Sequence, residues 1–313
     1  MMRCPRPSGS PLGLPVARGP WPVALALLAG CEAHAGPGAF DGAGALAYVE
    51  RQLAFGPRIP NTPGHRQTGD WLLGELRRRA DTVIVQAFTH RTAKGETLEL
   101  RNFFARLRPE AAERVLFVAH WDTRPRADKE TDAGAQRRPV PGANDGGSGV
   151  AVLLGVADAL RVPGGGPRVG VDLLFVDGED YGDFSDSTET LIGSRYFATH
   201  QPAGYQPLYA VVFDMVGDKD LRLPQEGNSV AFAPEVVQLV WRKARALGYG
   251  NVFVDEQSIG ITDDHLPLQQ AGIRAIDVID YDFPYHHTTQ DTIDKVSAAS
   301  LKIVGDVALS LVR

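Results

Sequence analysis

The sequence predicts one α/β domain in which helices cover both faces of a mostly parallel, doubly wound mixed sheet, a three-layer α/β/α arrangement. Three observations carry this expectation. Runs such as Val115–Ala119, Val169–Val176 and Tyr209–Phe213 are apolar at nearly every position, as in strands buried on both faces. They alternate with segments of helical periodicity. Acid- or histidine-bearing turns follow the apolar runs, where an open α/β sheet places its ligand site.

In chain order, Ala43 to Ala54 has helical periodicity and runs into Phe55–Gly64, a turn-rich stretch with three prolines. Thr68 to Arg79 reads as an amphipathic helix carrying Trp71, Leu72, Leu73 and Leu76, with Arg77 to Arg79 as its solvated end. Strands are expected at Thr82–Phe88, at Leu98–Leu107 and over the Val115 run, which ends in His120-Trp-Asp122. A polar loop, Thr123–Pro141, then lies next to the expected site. Asn144-Asp145-Gly-Gly-Ser-Gly149 opens a helix through Leu160, and strand Val169–Val176 ends in Asp177-Gly-Glu179-Asp180. Helices at Leu191–His200, Pro234–Leu247 and Ala298–Val312, with strands at Tyr209–Phe213, Val252–Val254 and Ile273–Ile279, complete the alternation. No internal repeat or linker divides the chain.

The N-terminus differs in kind. Arg3, Arg6 and Arg18 precede the apolar run Val23–Ala29, which is too short to span a bilayer and has the anatomy of a secretory signal. Leu28-Ala-Gly-Cys31 resembles the lipobox of bacterial lipoproteins. The expected organisation is a signal peptide with lipobox over 1–31, a flexible Gly/Ala/Pro tether over 32–40 and one folded domain over 41–313. An exported protein is implied, held on the periplasmic or extracellular side by a lipid anchor, its one expected contact with a membrane. The only cysteines, Cys4 and Cys31, both fall in this leader, so the domain contains neither a disulfide nor a thiol nucleophile. A net charge of −6, with no basic cluster interleaved with aromatics, argues against nucleic acid as a partner.

The chemistry-bearing residues come in order at successive strand ends: His120 and Asp122, Asp145, Glu179 and Asp180, Asp214, and His286-His287. Singly, each has an ordinary alternative. Asp145 before Gly-Gly suits a helix N-cap, Glu179-Asp180 a solvated turn, and a histidine pair a surface loop. Jointly they are imidazole and oxygen donors without thiolate, a set that suits zinc. A carboxylate left outside the ligand set then serves as general base.

From about Phe55 onward the chain resembles the zinc-dependent aminopeptidases of the Vibrio and Streptomyces type, and within them the glutaminyl-peptide cyclotransferases more closely. The resemblance rests on Gly56-Pro-Arg58, Asn102-Phe-Phe-Ala105, His120-Trp-Asp122, Asn144-Asp145, Asp177-Gly-Glu179-Asp180, Leu191–Arg195, Asp214–Gly217, Thr262-Asp263-Asp264-His265 and His287-Thr288. It implies a zinc-exopeptidase fold and one or two zinc ions. In the two-zinc arrangement His120, Asp145 and Asp214 hold one ion, and Asp145, Asp180 and His287 hold the other. In the one-zinc cyclotransferases the latter three are the ligands, Glu179 shuttles the proton, and Asp214 and Asp263 form a carboxylate network beside it. The implied substrate is a peptide with a free N-terminus. Its N-terminal glutamine is cyclised with loss of ammonia or, alternatively, a di-zinc aminopeptidase removes its first residue. The chain departs from the cyclotransferase pattern at Asp180, where glutamate is commoner, and at Ala119, where a cysteine stands. Two pocket tryptophans are also replaced, one by His286 and one near Ser185, with Phe184 as a substitute aromatic wall.

Overall fold

The computed structural model describes residues 38–184 and 189–313. The expected signal, lipobox and first part of the tether, and Ser185, lie outside the described residues. In chain order the elements are α1 (Gly42–Leu53), α2 (Pro63–Arg79), β1 (Thr82–Arg91), β2 (Thr97–Leu107), β3 (Arg114–His120), α3 (Gly147–Arg161), β4 (Gly170–Val176) and α4 (Ile192–Thr199). They continue with β5 (Tyr209–Asp214), β6 (Leu223–Gln225), α5 (Gly227–Phe232), α6 (Pro234–Ala246), β7 (Phe253–Gln257), α7 (His265–Gln270), β8 (Ala275–Ile279) and α8 (Ala298–Val312).

The main sheet has six strands in the order β1-β2-β4-β3-β5-β8. β4, β3, β5 and β8 run parallel, while β2 joins β4, and β1 joins β2, antiparallel. The sheet is therefore mixed but mostly parallel around its centre. Alternate residues of β3 enter opposite layers: Val115, Phe117 and Ala119 pack with α1, α3 and α8, whereas Leu116 and Val118 pack with Phe197 of α4 and Leu268 of α7. Both faces are covered, which is why these strands read as continuous apolar runs.

Three features differ from the sequence reading. α2 begins at Pro63, five residues earlier than Thr68, because Thr62 caps it by accepting from the His65 N–H and Pro63 supplies a preset first turn. β6, α5 and α7 have three to six residues each and are fixed by tertiary contacts: Glu226 accepts from Asn228 and Ser229 at the start of α5 and from Ile261 in a distant loop. Phe40, expected at the end of a loose tether, is 2% exposed. Its ring fills a notch left by Gly155 of α3 and Gly305 of α8, where an added Cβ would meet it at 2.6 and 2.2 Å. Beside it the Arg313 guanidinium donates to the carbonyls of Gly38 (2.7 Å), Ala159 (2.9 Å) and Gly165 (3.1 Å), joining both ends of the described chain to the C-terminal end of α3.

Candidate metal centre

The carboxyl ends of β3, β4 and β5 deliver His120, the Asp177–Asp180 turn and Asp214 to one edge of the sheet, as the parallel topology dictates. Asp122 fixes the neighbouring turn: its two oxygens accept the N–H groups of Glu179 (3.0 Å) and Asp180 (3.2 Å). At the far side of that turn, Asp177 accepts from the Arg101 N–H (2.7 Å) and from His65 Nε2 (2.8 Å), whose ring stacks on Trp121.

Asp145 does not cap α3. The N-cap is Gly146 at φ +74, where any Cβ would strike the Asp122 carbonyl at 2.7 Å and the His120 ring at 2.9 Å. The Asp145 carboxylate is thereby free to face the site. Its backbone is held from two directions. Asp291 accepts the N–H groups of Asn144 (2.8 Å) and Asp145 (3.1 Å). The fully buried Arg58 donates to the carbonyls of Trp121 (2.9 Å), Pro141 (3.2 Å), Gly142 (2.7 Å) and Asp145 (3.3 Å).

These anchors bring the expected residues together. His120 Nε2 lies 3.1 Å from Asp145 Oδ1 and 3.1 Å from Asp214 Oδ1. His287 Nε2 lies 3.6 Å from Asp145 Oδ2 and 3.2 Å from Asp180 Oδ1. Asp145 thus turns one oxygen to each histidine. His287, at φ +57, and Met215, at φ +49 directly after Asp214, hold left-handed backbone that their L side chains disfavour. The Met215 turn is secured by Ser148 and Asn144, whose side chains accept the N–H groups of Val216 (3.0 Å) and Gly217 (2.7 Å). Glu179 Oε2 stands 3.8 Å from His120 Nδ1. Glu179, Asp180, His286 and His287 are all buried, so neither the solvated-turn nor the surface-loop alternative survives.

The donor set fits a divalent cation. Ligand atoms of His120, Asp145 and Asp214, and separately of Asp145, His286 and His287, lie within 4.8 Å of one another. Asp145 Oδ2 and Asp180 Oδ2 are buried without a hydrogen-bond partner, which is costly unless a cation takes them. Asp180 commits its other oxygen to Arg124 Nη1 at 2.8 Å.

Electrostatics follow from burial of so many acids. Burial, reinforced by Asp180, Asp263 and Asp264 against the opposing charge of His120, pushes the Glu179 carboxyl well above the usual range. Burial likewise carries Asp214 up to about 7. Burial opposes ionisation of Asp145 too, but His120 and His287 outweigh it and hold that carboxyl below its usual range. Asp263 lines the same cavity as Glu179 and Asp214, and its Oδ2 is unpartnered. The cavity has a volume of about 380 Å³, with Phe184, Ile261 and Met215 among its apolar walls. The Phe184 ring lies nearly parallel to His287 at 6.2 Å, the aromatic wall expected of it.

Sequence reasoning assigned no role to Arg124, Asp128 or Lys129 of the Thr123–Pro141 loop. Arg124 bridges Asp180 and Asp128, Asp128 Oδ1 stands 3.5 Å from His287 Nδ1, and Lys129 reaches His286. The available signal was a charged loop directly following the strand that bears His120.

Comparison with known proteins agrees with this architecture. The description "Peptidase family M28" matches residues 102–312. An aminopeptidase of Bacillus subtilis, YwaD, is 24% identical over 303 residues, covering 87% of this chain but only 57% of the relative. Among solved structures, a Zn-dependent exopeptidase from Parabacteroides distasonis has a TM-score of 0.83 at 36% identity, covering 87% of this chain and 98% of its own. A glutaminyl cyclase from Tannerella forsythia has a TM-score of 0.83 at 39% identity, covering 88% and 98% respectively.

Proposed function

The chain belongs to peptidase family M28, and on that premise we propose that it is a zinc-dependent glutaminyl cyclase, converting the N-terminal glutamine of peptides to pyroglutamate with release of ammonia. The observation that carries the reading is Glu179: a buried carboxyl whose proton affinity is raised by burial, lining the cavity beside the ligand cluster. The 39% identity to the Tannerella forsythia cyclase over nearly the whole of that chain supports it.

Asp145, Asp180 and His287 would hold the zinc, which when bound supplies Lewis-acid polarisation of a substrate carbonyl. The substrate's α-amine attacks the carbon of its own side-chain amide. Glu179 accepts the proton this amine loses and returns it to the departing nitrogen, so the new C–N bond forms as ammonia leaves. Asp214 and Asp263 line the same cavity wall as Glu179, whose proton affinity is kept high by burial and by the like charge of Asp180, Asp263 and Asp264.

A second reading, a di-zinc aminopeptidase, is favoured by one observation: the two Asp145 oxygens face different histidines, so His120, Asp145 and Asp214 complete a second ligand set. There Glu179 would deprotonate the attacking water. The domain after Cys31, zinc-loaded, should convert a Gln-Leu peptide to a product lighter by one ammonia with chain length kept. Free glutamine instead would establish the aminopeptidase.

We propose further that the protein is exported and lipid-anchored at Cys31, on the strength of the Arg-flanked apolar run and Leu28-Ala-Gly-Cys31. Full-length protein should sediment with membranes and Cys31→Ala should not. Recovery of the wild type in the cytosolic fraction overturns this.

A further inference from the structure

The titratable groups around the cavity are mostly acids, and one cation stands apart from them. Arg124 is already neutralised by Asp128 and Asp180. Lys129 forms no ion pair among the described residues. Its ammonium is held by two neutral groups instead: His286 Nδ1 at 2.8 Å and the face of the Tyr281 ring at 5.2 Å. Its root is fixed as well, because its backbone N–H donates to the His287 carbonyl at 3.3 Å. An ammonium carries three donors and His286 uses one. The remaining donors stand at the cavity mouth, since Lys129 is exposed and Tyr281 beside it is 39% exposed.

A cavity of about 380 Å³ is at the small end of ligand pockets, so a peptide lodges its first residue inside and its next residue passes the mouth. There the next residue meets a positioned cation with two donors that take no hydrogen-bond partner among the described residues, against a background of acids that repels anions elsewhere along the wall. We propose that Lys129 forms a mouth subsite for a carboxylate carried by the residue after the substrate's N-terminal residue, supplied by an aspartate or glutamate side chain or by the free C-terminus of a dipeptide. This rests on the cavity receiving a peptide N-terminus, as argued above.

The test compares kcat/KM for three probes, Gln-Glu amide, Gln-Leu amide and Gln-Leu with a free carboxylate, scoring both ammonia loss and release of the first residue. The wild type should favour Gln-Glu amide over Gln-Leu amide by roughly fivefold, the scale of one partly exposed charge pair. If the free C-terminus is the natural occupant, unblocked Gln-Leu takes that preference instead. Lys129→Met should bring the ratios to about one, and Lys129→Glu should turn them toward a Gln-Lys amide probe. Melting temperatures of both variants near that of the wild type establish that they fold. Ratios of one in the wild type, or a preference unchanged in Lys129→Met, overturn the subsite while leaving the peptide reading standing. Turnover of no probe by either route removes the peptide reading and the subsite with it.

Discussion

Replacing Arg58 by lysine keeps the charge but removes the planar fork, and its cost can be worked from the structure. Arg58 is 0% exposed and spends four N–H groups on the carbonyls of Trp121, Pro141, Gly142 and Asp145. Burial pulls its guanidinium down to about 10, still charged at neutral pH, and no carboxylate forms an ion pair with it among the described residues. A lysine ammonium radiates three donors from one point and cannot span four carbonyls belonging to two chain segments. Two carbonyls left unpaired, at about 1–3 kcal/mol each, give a loss of roughly 2–6 kcal/mol. That is a large share of the roughly 5–15 kcal/mol that holds a typical domain together. Because the same carbonyls belong to the segments carrying His120 and Asp145, zinc affinity should fall about 10- to 100-fold. Urea unfolding of the metal-free proteins and competition against a chelator read the two effects separately. A destabilisation below about 1 kcal/mol with unchanged zinc affinity would refute the reasoning, since it would mean that the carbonyls do not depend on the fork.

Other outcomes follow from the same geometry. Phe40→Ala should cost about 3–5 kcal/mol in urea unfolding, because the notch between Gly155 and Gly305 offers no side chain to collapse into the void. Glu179→Gln should lower kcat by about 10²- to 10⁴-fold while zinc content, measured by elemental analysis, stays at the wild-type level. Asp280, which is not among the proposed ligands, gives a pH test. Burial raises its carboxyl from 3.8 to about 7, so its favourable contribution is complete below the unfolded value and is lost as pH rises toward the folded one. Asp280→Asn can still accept the Arg222 N–H and has no charge to bury. Its stability relative to wild type should climb between about pH 4 and pH 7 and level off above. A difference that is flat across that window contradicts the assignment.

The parts of the site legible in the sequence are those that depend only on strand order. Once Val115–Ala119, Val169–Val176 and Tyr209–Phe213 are read as parallel strands, the residues ending them must share an edge, and His120, Glu179, Asp180 and Asp214 follow. The anchors are different. Arg58 reaches the Asp145 carbonyl across 87 positions, and Asp291 reaches the Asp145 N–H across 146. Neither lies in a periodic pattern, and hydrogen bonds to backbone groups impose no residue type at the far end. The β6, α5 and α7 segments are too short for periodicity to register, and Glu226 stabilises α5 through a loop 35 positions away. Phe40 was hidden by its neighbours, whose Gly, Ala and Pro content says linker while one aromatic ring says core.

The clasp that Arg313 makes on Gly38 and on the C-terminal end of α3 has a geometric consequence. α3 starts beside Asp145 and runs for 15 residues, about 22 Å at the helical rise, before reaching that clasp. Both ends of the described chain therefore emerge on the side of the sheet away from the cavity mouth. A label placed at residue 38 or residue 313 would leave the mouth open to bulky peptides. Joining residue 38 to residue 313 by a short linker and cutting the chain elsewhere should preserve the fold.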